Sequence, residues 1–367
     1  MTKADIELIN LINEGKSINE ICDSLNVTRN KIYKKLLTLK NNGYSIKNSY
    51  YYNGDITYQL IHGNMNYTKD TVMIDMKKNE NNFRAMVISD LHIGSDKQRL
   101  DLLYQVYNYC IKNNINIILN TGDVVDGWIG KNKKINKDIE HQLEYFIKKH
   151  PFDKNILNFI CFGNHDVDSY VKFGINLKTI LENYRQDLIA FTSTLGYIKV
   201  KHDNLVLCHQ TDNRHVNLKD IKNSIIFEGH HHKFMTSFNN TTNNHLIYVP
   251  SLSEIYINNQ ITFPTALVID FDLEAGLFSK GIISQLISNG NEFIKIGEFK
   301  LTNIYQQKKN NNQEKEHVNT NNQTEINKQS NNDEKPKSLV KKKDDNFENM
   351  LKDFKHKQLM QKKYKYE

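Results

Sequence analysis

No stretch of the 367-residue chain stays apolar for the ~20 residues that a membrane span needs. The start, Met1-Thr2-Lys3-Ala4-Asp5, runs into a polar helical pattern and not into the apolar centre of a signal segment. Both absences lead to the expectation of a cytoplasmic protein without a membrane partner. No C-x-x-C pair occurs among the four cysteines, Cys22, Cys110, Cys161 and Cys208. Each sits in or beside an apolar run, so buried free thiols are expected in place of disulfides or zinc. A strong charge excess is also missing: a formal +7 permits a polyanionic partner without demanding one. What is present is enough apolar mass for a real core, at 38% hydrophobic residues with 17 Phe. The length fits one large domain plus a small one, or two medium ones.

Residues 1–60 read as a small basic unit. Ile6, Ile9, Leu11 and Ile12 predict a first helix ending near Gly15. Ser17-Ile18-Asn19-Glu20 has the form of a capping box opening a second helix. Thr28 can cap a third, which buries Ile32, Leu36 and Leu39 and ends at Gly43. Two β-prone tyrosine-rich runs around Asn53-Gly54 predict a hairpin. Three helices with a tight second turn followed by a hairpin resemble a winged helix-turn-helix domain. The resemblance implies DNA binding, with Arg29, Asn30 and Lys31 facing base edges and Lys34 and Lys35 nearer phosphate. The alternative is a trihelical protein-docking module whose lysines form a solvated face.

Residues 61–82 read as a polar linker. Strand-helix alternation follows: a strand over 83–88, a helix over 99–111, a strand over 115–119, a helix over 137–149 and a strand over 156–160. Beyond Leu188, apolar runs at 198–200, 205–207, 225–227, 246–249 and 266–271 predict a second, largely antiparallel sheet packed on the first. Residues 305–367 are rich in Asn, Gln, Lys and Glu, and disorder is expected there. Phe347, Met350, Leu351 and Phe354 are spaced as one face of a short helix near 345–360. That helix is either a docking motif for a protein partner or a solvated transient turn.

The residues that carry chemistry stand just past apolar runs. Asp90-x-His92, Gly122-Asp123-x-x-Asp126, Gly163-Asn164-His165-Asp166, His209 and Gly229-His230-His231-His232 occur in that order. Carboxylates and imidazoles together suit manganese, iron or zinc. In an extended segment, alternation puts Asp90 with His92, and His230 with His232, on one face, and turns His231 away. The full series resembles the signature of the calcineurin-like metallophosphoesterases over about 83–304. The resemblance implies an α/β (α+β) fold, a four-layer β-sandwich flanked by helices, around two divalent ions. Manganese is foremost, with iron, zinc or magnesium as alternatives. It further implies Asp90, His92 and His232 on one ion, Asn164, His209 and His230 on the other, and Asp123 bridging, one carboxylate oxygen per ion. His165 would donate a proton to the leaving oxygen or stabilise transition-state charge. Asp166 would hold the His165 tautomer, and Asp126 would support the Asp123 loop.

The site specifies a phosphate ester and nothing finer. Val167-Asp168-Ser169 after the Gly-Asn-His-Asp block departs from the arginine-bearing pattern of the protein-phosphatase branch. A DNA-binding module on the same chain raises the effective concentration of nucleic acid at the site. The leading expectation is therefore a bacterial or phage-type nuclease. The alternatives are a small-molecule phosphodiesterase with a regulatory helical module, and a DNA-binding regulator whose phosphoesterase fold senses a ligand.

Overall fold

Two mixed β-sheets share an apolar core in the computed structural model of the chain, which describes residues 3–61, 71–128, 139–174, 176–210, 218–257 and 260–301. Helices α1 (Lys3–Asn13), α2 (Ile18–Leu25) and α3 (Arg29–Asn41) come first, then the hairpin β1 (Ser45–Tyr51) and β2 (Ile56–Ile61). The capping box forms: the Ser17 hydroxyl accepts the Glu20 N–H at 3.3 Å, and the Glu20 carboxylate accepts the Ser17 N–H at 2.7 Å. Leu8, Ile12, Ile18, Ile21, Ile32, Leu36 and Leu39 are buried between the helices and the hairpin.

The polar stretch after the hairpin does not separate two bodies. Part of the expected linker is β3 (Thr71–Asp75), which lies between β1 and β8 (Leu195–Val200), parallel to both. The hairpin is thereby the end of an eight-stranded sheet, and its apolar face runs on into the sandwich core. Tyr50 stands edge-on to Phe159, with centroids 5.6 Å apart. A Cβ at Gly54, whose φ is +80°, would collide with the backbone of Asn155, so only glycine lets the hairpin tip seat there.

The seven-stranded sheet begins with β4 (Asn82–Ile88) and continues through α4 (Leu100–Lys112), β5 (Ile117–Asn120), α5 (Ile139–Lys149), β6 (Leu157–Ile160), α6 (Asn164–Phe173), α7 (Leu177–Tyr184) and β7 (Leu188–Ala190). The four strands pair in parallel in chain order. β5 and β6 are buried at every position, the pattern of strands covered on both faces. One face meets the other sheet. The other carries Leu102, Val106, Leu143, Phe146 and Leu181 of α4, α5 and α7.

The second half of the chain departs from expectation. β9 (Asp203–Cys208), β10 (Ile225–Glu228) and β12 (Asn244–Tyr248) pair in parallel, and β11 (Met235–Asn239) closes that edge antiparallel to β12. The second sheet is mixed, not largely antiparallel. The expected strand at 266–271 belongs to the first sheet, as β15 (Thr265–Glu274) antiparallel to β4. β16 (Leu277–Ser288) and β17 (Phe293–Leu301) extend it, while β13 (Ile255–Ile257) and β14 (Gln260–Thr262) form a separate pair. On the outer face of the eight-stranded sheet, the described residues place only the 3-10 turn Leu218–Asp220 over Val206 and Ile226. A helical fourth layer is not seen among them. No described helix is long and apolar enough to cross a membrane. The expected polar tail and its short helix lie outside the described residues.

Candidate metal centre

β4, β5 and β6 run parallel in one sheet and β9 and β10 run parallel in the other, and the loops at their C-terminal ends meet, where α/β folds bind ligands. All seven side chains expected as metal ligands converge there. Asp90 Oδ1 lies 3.0 Å from His232 Nε2 and 3.8 Å from His92 Nε2. Asn164 Oδ1 lies 3.2 Å from His209 Nε2 and 3.1 Å from His230 Nδ1. Asp123 stands between the two groups, with Oδ2 at 3.2 Å from His209 Nε2 and 3.9 Å from His92 Nε2. The expected one-oxygen-per-ion bridge is not what the carboxylate offers. Oδ1 accepts the His165 N–H at 2.9 Å, so Oδ2 alone faces both groups.

The convergence does not come from strand alternation either. Asp90, His92, Asp123, His230 and His232 all have positive φ, between 44° and 80°. Each therefore sits in a left-handed turn, a conformation that costs a non-glycine residue energy and gathers at functional sites. Glycine supplies the remaining freedom through close approach: a Cβ on Gly163 would collide with Asp123, and one on Gly229 with Ser89.

The imidazoles are aimed by their outer nitrogens. His209 Nδ1–H donates to Thr121 O at 2.7 Å, which leaves Nε2 for the centre. His92 Nδ1 pairs with Asp126 Oδ1 at 3.2 Å. His165 Nδ1–H donates to Asp126 O at 2.6 Å and turns Nε2 toward Asp123 Oδ2, 3.9 Å away. Asp126, expected as a brace for the Asp123 loop, is thus the orienter of two histidines. Asp166, expected to hold His165, does the bracing. Its carboxylate accepts the backbone N–H of Gly163, Val125 and Val124 at 2.9, 3.1 and 3.2 Å. Gln142 of α5, not singled out in the sequence, fixes the next residue by accepting the Gly127 N–H at 2.8 Å and donating to its carbonyl at 3.2 Å.

Burial penalises every charge here, and the neighbours decide the outcome. His209 is buried, yet the Asp123 carboxylate beside it pushes its pKa up to about 10. Burial likewise opposes ionisation of Asp90 and Asp123, but His232 beside Asp90 and His209 and His165 beside Asp123 hold both carboxyls well below the usual range. Asp166 is raised to about 6, by burial first and Asp123 second, against the pull of its three N–H donors.

The donor set fits divalent cations. His92 Nε2 is buried, faces two carboxylates and has no hydrogen-bond partner. Asp90, His92 and His232 form one group whose ligand atoms all lie within 4.8 Å of one another, and Asp123, His209 and His230 form a second. His92, Asp126 and His165 satisfy the same distances, and the hydrogen bonds above account for their contacts.

The basic residues expected on DNA are not brought together as one surface. Asn30, Lys31 and Lys34 are exposed on α3. Lys35 pairs with Asp5 at 2.7 Å. Arg29 is only 9% exposed, and its guanidinium donates to Asn19 Oδ1 at 2.7 and 3.2 Å and to Lys154 O at 2.7 Å. It therefore anchors the helical unit to the body and is not available to base edges. Tyr33, also buried, occupies the next turn of the same face.

The chain is similar to Vps29 of Cryptosporidium parvum at 11% identity, over 61% of this chain and 100% of that one, with a TM-score of 0.35. It is similar to Vps29 of Entamoeba histolytica complexed with zinc at 13% identity, over 59% and 98%, with a TM-score of 0.33. It is also similar to the phosphoesterase YfcE of E. coli at 15% identity, over 59% and 98%, with a TM-score of 0.36. No curated protein sequence matches the chain. The family profile of the calcineurin-like phosphoesterases matches residues 83–275, more than half of the chain and the span that holds every residue of the centre. The chain belongs to the calcineurin-like phosphoesterase family and is a metal-dependent phosphoester hydrolase.

Proposed function

We propose that this hydrolase cleaves phosphodiesters at a two-metal centre and that its substrate class is nucleic acid. The observation that carries the reading is the meeting of seven ligand-type side chains in two groups, with Asp123 Oδ2 facing both. Asp90, His92 and His232 would hold one divalent ion and Asn164, His209 and His230 the other, with Asp123 between them. Bound there, such a pair clamps a phosphate and lowers the pKa of a shared water toward neutrality.

The chain's own residues do the rest. Asp126 O accepts the hydrogen bond from His165 Nδ1–H, which fixes the ring and keeps Nε2 aimed into the centre. From there it hands a proton to the leaving oxygen or stabilises charge that develops on it. His165 donates its backbone N–H to Asp123 Oδ1, so one residue fixes both the proton donor and the central carboxylate. Asn164 contributes a neutral oxygen, which keeps the centre positive enough for an anion.

Lys31 and Lys34, exposed on α3 beside Asn30, are what supports the nucleic-acid reading. The burial of Arg29 favours a second reading, a small-molecule phosphodiesterase whose helical unit is a structural buttress. Manganese-dependent cleavage of single- and double-stranded DNA, abolished by chelator, is the expected result of the first. Hydrolysis of bis(p-nitrophenyl) phosphate with no cleavage of any polynucleotide overturns it in favour of the second.

A further inference from the structure

We propose that Glu228 and His231 form a clasp that sets the reach of the two histidines on either side of it. Residues 230–232 are three consecutive histidines, and nothing in their chemistry distinguishes a ligand from its neighbour. Position alone separates them. His230 Nδ1 faces Asn164 Oδ1 at 3.1 Å and His232 Nε2 faces Asp90 Oδ1 at 3.0 Å. His231 points the other way, with Nε2 3.0 Å from Glu228 Oε1 and its ring edge-on to Tyr248, centroids 4.7 Å apart at 85°.

Both partners of His231 are built into the sheet. Glu228 is the last residue of β10, fully buried, and Tyr248 stands opposite it in the β10–β12 register. The Glu228 carbonyl also accepts the Val249 N–H at 2.8 Å, which ties the two strand ends together where the histidine loop leaves. A buried carboxylate at this point needs donors, and His231 supplies one from the loop beside the one that Gln210 supplies. Holding the middle ring outward leaves the flanking residues in left-handed turns, with φ of 80° at His230 and 55° at His232. Such turns persist only where the surroundings over-determine them. The clasp supplies that constraint and blocks a one-residue slip that would offer His231 to the centre in place of a neighbour.

Glu228 and His231 are thus positioning residues, and their role rests on the metal reading above. The test is manganese titration of the full chain by calorimetry, with paramagnetic resonance of the loaded protein and thermal unfolding of the metal-free protein. His231→Ala is expected to weaken manganese binding by roughly 10–100-fold, as loss of an outer orienting contact does. The spin-coupled two-ion signal should fall with it, while the metal-free melting temperature holds. Glu228→Gln keeps an oxygen that accepts from His231, and wild-type affinity is expected to return. Should the buried carboxylate, left with Gln210 alone, unfold His231→Ala, the pair Glu228→Leu with His231→Phe keeps the packing and removes the clasp, with the same loss of affinity expected. Two ions bound at wild-type affinity by both clasp-free forms overturn the proposal. Wild-type protein that takes up no ion overturns the metal reading and the clasp together, and the wild-type titration sets that outcome apart.

Discussion

His165 donates its Nδ1–H to the main-chain oxygen of Asp126 at 2.6 Å, and not to the carboxylate of Asp166, its neighbour in the chain. The two acids divide the work by what they touch. Asp126 meets imidazoles, through its carboxylate to His92 and its carbonyl to His165. Asp166 meets backbone amides from two loops. Asp126→Ala is therefore expected to lower manganese affinity by roughly 10–100-fold with little change in metal-free stability. Asp166→Ala leaves three buried N–H groups without an acceptor and is expected to cost about 2–3 kcal/mol of stability. Urea unfolding of the metal-free protein beside metal titration separates them. Equal effects of the two substitutions on both measurements would show that the division is wrong.

The ligand-type residues were legible in the sequence because each follows an apolar run that becomes a strand, and strand ends on one edge of a sheet must meet. Asp90, Asp123, Asn164, His209 and His230 needed no knowledge of side-chain rotamers to be named. The partner of His165 did need it. Asp166 adjoins His165 in the chain and Asp126 stands 39 positions back, yet loop conformation alone decides which one faces the ring. Arg29 was misread for a related reason. One apolar stripe on α3 accounts for Ile32, Leu36 and Leu39, but Arg29 and Tyr33 form a second buried face that exists only once α3 docks on the body. The five-residue strand β3 was hidden among polar neighbours, and β15 was placed with the strands next to it in sequence when its partner is β4, far back in the chain.

His150 gives the fold a sensitivity to acid that is independent of the metal centre. It is buried, and burial together with the Arg185 charge lowers its pKa to about 3. Its Nδ1–H donates to Pro151 O at 3.0 Å, and burial beside the Arg185 charge keeps the ring neutral in the folded form. Above the unfolded value of about 6.5 both states are neutral and the residue adds no pH dependence. Between 6.5 and about 3 only the unfolded chain takes up the proton, so stability falls with pH by up to about 1.4 kcal/mol per unit. His150→Gln should remove roughly 2 kcal/mol of the stability difference between pH 6.5 and 5. Identical slopes for the two proteins in denaturant unfolding across that range would exclude the effect.

Arg185 closes the same region. Its guanidinium holds Asp187 through both oxygens at 2.8 and 2.7 Å and donates to the carbonyls of Ile147, His150 and Pro151 at 3.1, 2.9 and 2.7 Å. It thereby satisfies the C-terminal end of α5, where helix carbonyls have no partner of their own. Lysine cannot reproduce the fork. Arg185→Lys is expected to destabilise the protein by about 2 kcal/mol, and Arg185→Met by about 3–5 kcal/mol, because it strands the buried Asp187 charge. A lysine variant as stable as the wild type in urea would show that the fork geometry does not matter here.

Arg29 and the exposed lysines of α3 separate buttress from recognition surface. Lys31 and Lys34 are exposed, so removing either leaves the fold intact. If α3 tracks a phosphate backbone, Lys31→Ala and Lys34→Ala each weaken DNA binding and each lower the slope of log affinity against log salt by about 1. Arg29→Ala removes the bonds to Asn19 and Lys154 and is expected to destabilise the protein by about 2 kcal/mol with the salt slope unchanged. Binding of a labelled duplex at several salt concentrations, beside urea unfolding, reads both quantities. If the two lysine variants bind DNA with wild-type affinity and slope, α3 is not the nucleic-acid surface. The helical unit would then be a buttress for the phosphoesterase body, the role that Arg29 already fills.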